Sequence, residues 1–279
     1  MKLRGARRSS NIEDRRRSGG RGGAIGGLGI GGVLLVLAIG YFTGIDVTPI
    51  LNGAPTQSSA PRDLTEGEQR AADFTAAVLG STEDVWTQIF PEQAGRQYRP
   101  PTLVLFSGQT ASPCGGASGA TGPFYCPADR KAYLDTRFFA TLSQRLGAKG
   151  DFAQAYVIAH EVAHHIQNEL GILPQVAEAR RAASQTEANA LTVRLELQAD
   201  CLSGVWAAHV EGMLEPGDIE EALNAARQIG DDTLQRNAGR VPQPHTFTHG
   251  TSEQRARWFA TGYDSADIAA CDTFRARNL

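Results

Sequence analysis

The sequence predicts a mostly helical α+β domain with a small sheet, set behind one membrane-spanning segment, and three observations carry that expectation. Apolar residues recur at helical spacing through most of the chain after residue 64. Two short apolar runs, residues 102–106 and 131–135, read as strands. A stretch of 22 residues without a charge, 24–45, is long enough to cross about 30 Å of hydrocarbon as a helix.

The 279 residues, 41% hydrophobic and 20% charged, suffice for one domain with an appendage. The net charge of −3 is spread unevenly. In residues 1–23, Lys2, Arg4, Arg7, Arg8, Arg15, Arg16, Arg17 and Arg21 face only Glu13 and Asp14, so the rest of the chain is acidic. An acidic folded part gives no support to nucleic-acid binding, and the basic end is assigned to membrane topology. The expected order is a basic cytoplasmic tail (1–23), a transmembrane helix in the lipid bilayer (24–45), a Pro/Ser/Thr/Gly-rich linker (46–63) and a folded domain (64–279). That places the folded domain outside a bacterial inner membrane, periplasmic or extracellular. An uncleaved anchor is preferred to a signal peptide, because the apolar stretch is long for an h-region and no small-x-small site follows closely.

Within the domain, Thr65 can cap a helix to about Leu79, and Ser81 or Thr82 can start another that ends before Pro91. The strands 102–106 and 131–135 enclose a loop dense in Gly, Ser and Pro. Its Cys114 and Cys126 are expected to bridge on the oxidising side of a membrane. A short amphipathic helix over 136–146 leads to the segment Asp151–Gly171, in which Asp151 and Gln154 suit a capping box and Gly171 a stop. Helices are then expected from Pro174 to Ala183, from Ser184 or Thr186 to near Gly212, and from Asp218 to Ile229. An irregular stretch follows, then a helix covering Gln254–Thr261 behind a Thr251/Gln254 box, and a last short one containing Cys271. Four cysteines allow three pairings, and loop length favours Cys114–Cys126 with Cys201–Cys271.

The segment 151–171 carries His160-Glu161-x-x-His164. Histidines four apart share a helical face, so both rings can bind one Zn²⁺ while Glu161 sits beside it as a general base. A catalytic zinc takes three protein ligands plus water, so one is missing. The short-spaced third histidine of metzincins is absent, because Gln167, Asn168 and Gly171 do not continue that pattern. Glu196 is the candidate: it lies on a separate helix among apolar neighbours Leu195, Leu197, Ala199 and Leu202, and a buried acid needs a metal or a partner. Asp200, one turn on, can accept the ring N–H of a ligand histidine. Glu169, Glu178 and Glu187 stand in more polar surroundings.

The runs HEVAHHIQ, LELQADCLSGVWA and THGTSEQRARWFATGYD together resemble the bacterial neutral zinc metallopeptidase family, a membrane-anchored, gluzincin-like group. The resemblance covers essentially the whole chain. It implies a zincin-like fold, one Zn²⁺ per chain on His160, His164 and Glu196, and hydrolysis of a peptide or protein substrate. Glu161 would then take the proton of the attacking water and pass it on to the leaving amine. His249 or His245 would donate to the oxyanion, with His249 favoured because it lies in the shared motif. His165 and His209 read as packing histidines and Arg255 as one half of a salt bridge. An alternative from another class is a catalytically silent, zinc-stabilised and membrane-tethered scaffolding protein. The intact Glu161 argues for the enzyme, since a scaffold needs the histidines but not the base.

Overall fold

The computed structural model describes residues 1–17, 63–118 and 122–279. The expected span 24–45 and all but the last residue of the expected linker lie outside these. No helix among the described residues is long and apolar enough to cross a membrane.

The first 17 residues belong to the folded body, and the expectation of a separate tail is corrected for them. Strand β1 (Ile12–Asp14) pairs in parallel with β2 (Thr102–Phe106), Ile12 standing opposite Leu103. Upstream of it, Arg7 Nη2, Ser9 Oγ and Asn11 Nδ2 donate to the buried carboxylate of Glu83 at 2.7, 2.5 and 2.7 Å. Arg16, only 5% exposed, donates to both Asp14 oxygens and to the Glu68 carbonyl. The amino group of Met1 sits among Asp151, Glu215 and Asp218. The sequence pattern points to a solvated arm because these partners are remote in the chain and unreadable from composition.

Helix α1 (Glu66–Ala94) starts on a capping box in which Thr65 and Glu68 satisfy each other's backbone N–H. It is one helix where two are expected. The Ser81 and Thr82 hydroxyls donate back to the carbonyls of Val78 and Leu79, so neither caps a new start. Pro91 falls in the last turn, where its missing N–H costs one bond only, and Gly95 ends the helix at φ 66°.

The Gly-rich loop is more ordered than its composition suggests. It holds a hairpin, β3 (Gln109–Ser112) with β4 (Gly115–Ser118), and a short strand β5 (Phe124–Cys126). The Cys114–Cys126 disulfide ties the hairpin turn to β5, and Cys201–Cys271 is the second bridge, both as the loop lengths suggest. β6 (Lys131–Asp135) runs parallel to β2 and antiparallel to β5, giving the order β1-β2-β6-β5 with β5 at one edge.

The helical layer follows: α2 (Phe138–Gln144), α3 (Asp151–Glu169), α4 (Ile172–Ala182), α5 (Gln185–His209), α6 (Asp218–Gln228), α7 (Asp231–Asn237) and α8 (Ser252–Ser265). Boxes of Ser184 with Glu187 and of Thr251 with Gln254 start α5 and α8. Asp151 is not the cap expected for α3: Gly150 takes that place, and the Asp151 carboxylate faces Met1 instead. The short helix α7 replaces part of the stretch read as irregular.

Helix α3 is buried on most sides, with Phe152 stacked on Trp206 of α5 and Tyr156 set edge-on to Phe259 of α8. Each such aromatic contributes about 1.5–3 kcal/mol through burial. Helices α5 and α8 cross in near backbone contact at Gly204 and Gly262. A Cβ on Gly204 would stand 2.0 Å from the Phe259 carbonyl oxygen, and one on Gly262 1.8 Å from that of Cys201. This close crossing brings Asp200 and Arg255 together.

Candidate metal centre

Helix α3 carries His160, Glu161 and His164, and α5 carries Glu196 and Asp200. The ligand atoms of His160, His164 and Glu196 all lie within 4.8 Å of one another. His160 Nε2 is 3.1 Å from Glu196 Oε2, and His164 Nε2 is 3.6 Å from Glu196 Oε1. Tetrahedral zinc with bonds of about 2.0–2.2 Å needs donor atoms about 3.3–3.5 Å apart, and each histidine stands near that separation from one of the two Glu196 oxygens.

Each ring is turned so that Nε2 faces this point. His164 Nδ1 donates to Gln167 Oε1 at 2.8 Å, since Gln167 uses its Nε2 on the Leu195 carbonyl and on Gln198. His160 Nδ1 lies 2.9 Å from Asp200 Oδ1, off the line of a good hydrogen bond. Asp200, fully buried, also accepts from Tyr156 Oη at 2.5 Å and takes a two-pronged pair from Arg255 at 2.8 and 2.9 Å. Arg255 is thus the salt-bridge partner expected of it, and Asp200 stands behind His160.

Glu161 is 9% exposed, and its Oε2 has no hydrogen-bond partner. Burial pushes its carboxyl up to about 7, against the opposing pull of His160. That suits a group that must both take and give a proton near neutrality. Burial also works against charge on Glu196, yet the neighbouring His164 and His160 outweigh it and hold Glu196 well below the usual carboxylate range. Two imidazoles and a carboxylate converging through Nε2 and oxygen, with a desolvated acid beside them, form a donor set that fits Zn²⁺.

His249 lines the same cleft of about 330 Å³, whereas His245 sits exposed on a short turn away from it. Asp231 of α7 organises the His249 loop. Its Oδ2 accepts the backbone N–H groups of Thr248, His249 and Gly250 at 2.7, 2.6 and 3.0 Å, and its Oδ1 lies 3.3 Å from His249 Nδ1. Burial disfavours charge on His249, but Asp231 outweighs it and raises the ring's pKa.

The other two histidines have internal partners. His165 donates to the Arg99 carbonyl and accepts from Tyr125 of β5, and burial pushes it down to about 4. His209 bonds the Val205 carbonyl. Sequence reasoning missed Tyr156, Gln167 and Asp231. The first two lie one turn from a ligand on the same helix, a signal available in principle, whereas nothing near Asp231 in the chain marks it.

A helix-borne His₂Glu cluster beside a small sheet with a free edge defines a zinc metallopeptidase type of centre. The profile of the family described as "Putative neutral zinc metallopeptidase" matches residues 1–274, and the chain belongs to that family. It is 49% identical to the uncharacterized protein YpfJ of Escherichia coli K12 over 98% of this chain and 99% of that one. It is 42% identical to the uncharacterized protein Rv2575 of Mycobacterium tuberculosis H37Rv over 73% of this chain and 70% of that one. No solved structure matches it.

Proposed function

We propose that the chain is a membrane-anchored, zinc-dependent endopeptidase binding one Zn²⁺ per chain on His160, His164 and Glu196, with Glu161 as general base. The observation that carries this reading is the buried, unpartnered Glu161 oxygen beside the three converging donors. Bound there, zinc supplies Lewis acidity toward a peptide carbonyl and toward water. Glu161 then removes the proton of the attacking water and delivers it to the leaving amine. His249, its Nδ1 side held by Asp231, donates to the developing oxyanion. Asp200 keeps the His160 ring in orientation, as Gln167 does for His164. Strand β5 offers an extended peptide an open edge along the cleft, which Phe124 and Tyr125 line. For location, the reading keeps the domain, with the first 17 residues packed into it, on an oxidising side of a membrane, where two disulfides persist; a single crossing by residues 24–45 would carry those residues away from β2 and is not part of it.

Glu161→Gln is the test. It should retain one zinc per chain and lose about 10²-fold or more of peptide-hydrolysis rate. Unchanged turnover would remove Glu161 from the mechanism. A zinc-loaded wild type that cleaves no member of a broad peptide library would favour the silent scaffold.

A further inference from the structure

The cleft contains a cation, Arg180, that the mechanism above does not use. Arg180 lies near the end of α4 and lines the cleft together with Leu173, Thr192, Leu195 and Glu196. Its Nε is buried and has no hydrogen-bond partner, and its guanidinium makes no ion pair among the described residues. The nearby acids are engaged elsewhere, Glu178 with Arg181 and Glu196 with His160 and His164. A guanidinium carries five donors in a flat fork that matches a carboxylate two to two, and a buried donor left without a partner costs about 1–3 kcal/mol. The surrounding wall is largely apolar, through Phe124, Phe138, Val157, Leu173 and Leu195, so an anionic ligand entering the cleft would supply an ion-pair partner that no described residue gives Arg180.

We propose that Arg180 is a specificity-determining residue that receives a carboxylate of the peptide substrate. This deepens the peptidase reading and rests on it. A carboxylate reaches the cleft either as a peptide C-terminus or as an Asp or Glu side chain. A C-terminus would make short peptides with a free end the preferred substrates. A side chain would make internal acidic positions preferred, with apolar residues beside them.

The test is binding of peptide hydroxamates to the zinc-loaded full-length protein by calorimetry. The hydroxamates come in matched pairs, with the C-terminus free or amidated, and with Glu or Gln at one internal position. The expected result is a preference of about 10-fold or more for the carboxylate member of one pair. The pair that shows it identifies the source. Arg180→Gln should erase that preference and leave binding of the neutral member unchanged, and Arg180→Lys should restore part of it. Equal binding of both members of each pair, or a preference that survives in Arg180→Gln, overturns the assignment and leaves the peptidase reading standing. Failure of every hydroxamate to bind zinc-loaded wild type overturns both.

Discussion

Removing the Arg255 guanidinium strands the fully buried carboxylate of Asp200. Arg255 is 2% exposed and Asp200 0%, and they share two hydrogen bonds of 2.8 and 2.9 Å. In Arg255→Met, Asp200 keeps only the Tyr156 hydroxyl and the nearby His160 ring. Breaking one side of a buried pair costs about 3–5 kcal/mol. For a domain of this size that is a fall in Tm of roughly 6–20 °C. The assay is thermal unfolding of the metal-free protein followed by circular dichroism. The double variant Arg255→Met with Asp200→Leu removes both charges and should be more stable than the sum of the two single variants predicts, by about 2 kcal/mol or more. A single-variant cost under about 1 kcal/mol, or strictly additive energies, would refute the view that the pair is a mutually dependent buried unit.

Other outcomes follow from the same geometry. Asp200→Asn should weaken zinc binding by about 10–100-fold in a chelator competition, because His160 loses the charge that orients it. Gly204→Ala should destabilise by more than about 1–3 kcal/mol, since its Cβ would meet the Phe259 carbonyl oxygen at 2.0 Å, a rigid backbone atom. Breaking Cys201–Cys271 opens a 70-residue separation and should cost about 4 kcal/mol in denaturant unfolding. Burial pushes Asp231 up, but His249 and the backbone N–H groups outweigh it and hold the folded carboxyl below its ordinary value. Its contribution is therefore present above the unfolded pKa of about 3.9 and lost as pH falls through the folded value. Titration of stability in wild type and Asp231→Asn should show a gap that is widest between about pH 5 and the unfolded histidine pKa of about 6.5, narrows as pH rises through the raised folded pKa of His249, and closes below about pH 4; a gap that persists to the lowest pH contradicts this.

What the sequence made legible was local or strongly patterned. The H-E-x-x-H spacing places its histidines on one face without reference to the rest of the chain, and the Ser184 and Thr251 starts are set by side chains three residues away. Glu196 and Asp200 could be read because acids in an apolar helix segment demand a partner. Gln167 was hidden because its role depends on the Leu195 carbonyl, 28 residues on, which fixes the orientation of its amide. Strands β3 to β5 take their order from pairing and a disulfide rather than from propensity, so glycine and serine disguised them. Likewise the Arg7–Asn11 segment reads as a solvated arm until Glu83, more than 70 residues away, is placed beneath it.

The position of β1 bears on which side of a lipid bilayer each part of the chain can occupy. With β1 and α1 in one body, residues 18–62 leave that body and come back to it, a closed excursion of 45 residues. Such an excursion can cross a bilayer an even number of times or not at all, whereas one crossing by residues 24–45 puts its two ends in different compartments. Docking of β1 and a single crossing are therefore mutually exclusive. A single crossing would strip the Arg7, Ser9 and Asn11 donors from Glu83 and leave the outer edge of β2 bare. A cysteine placed at Ser10, labelled from either side of a vesicle, thus reports topology and sheet integrity in one measurement.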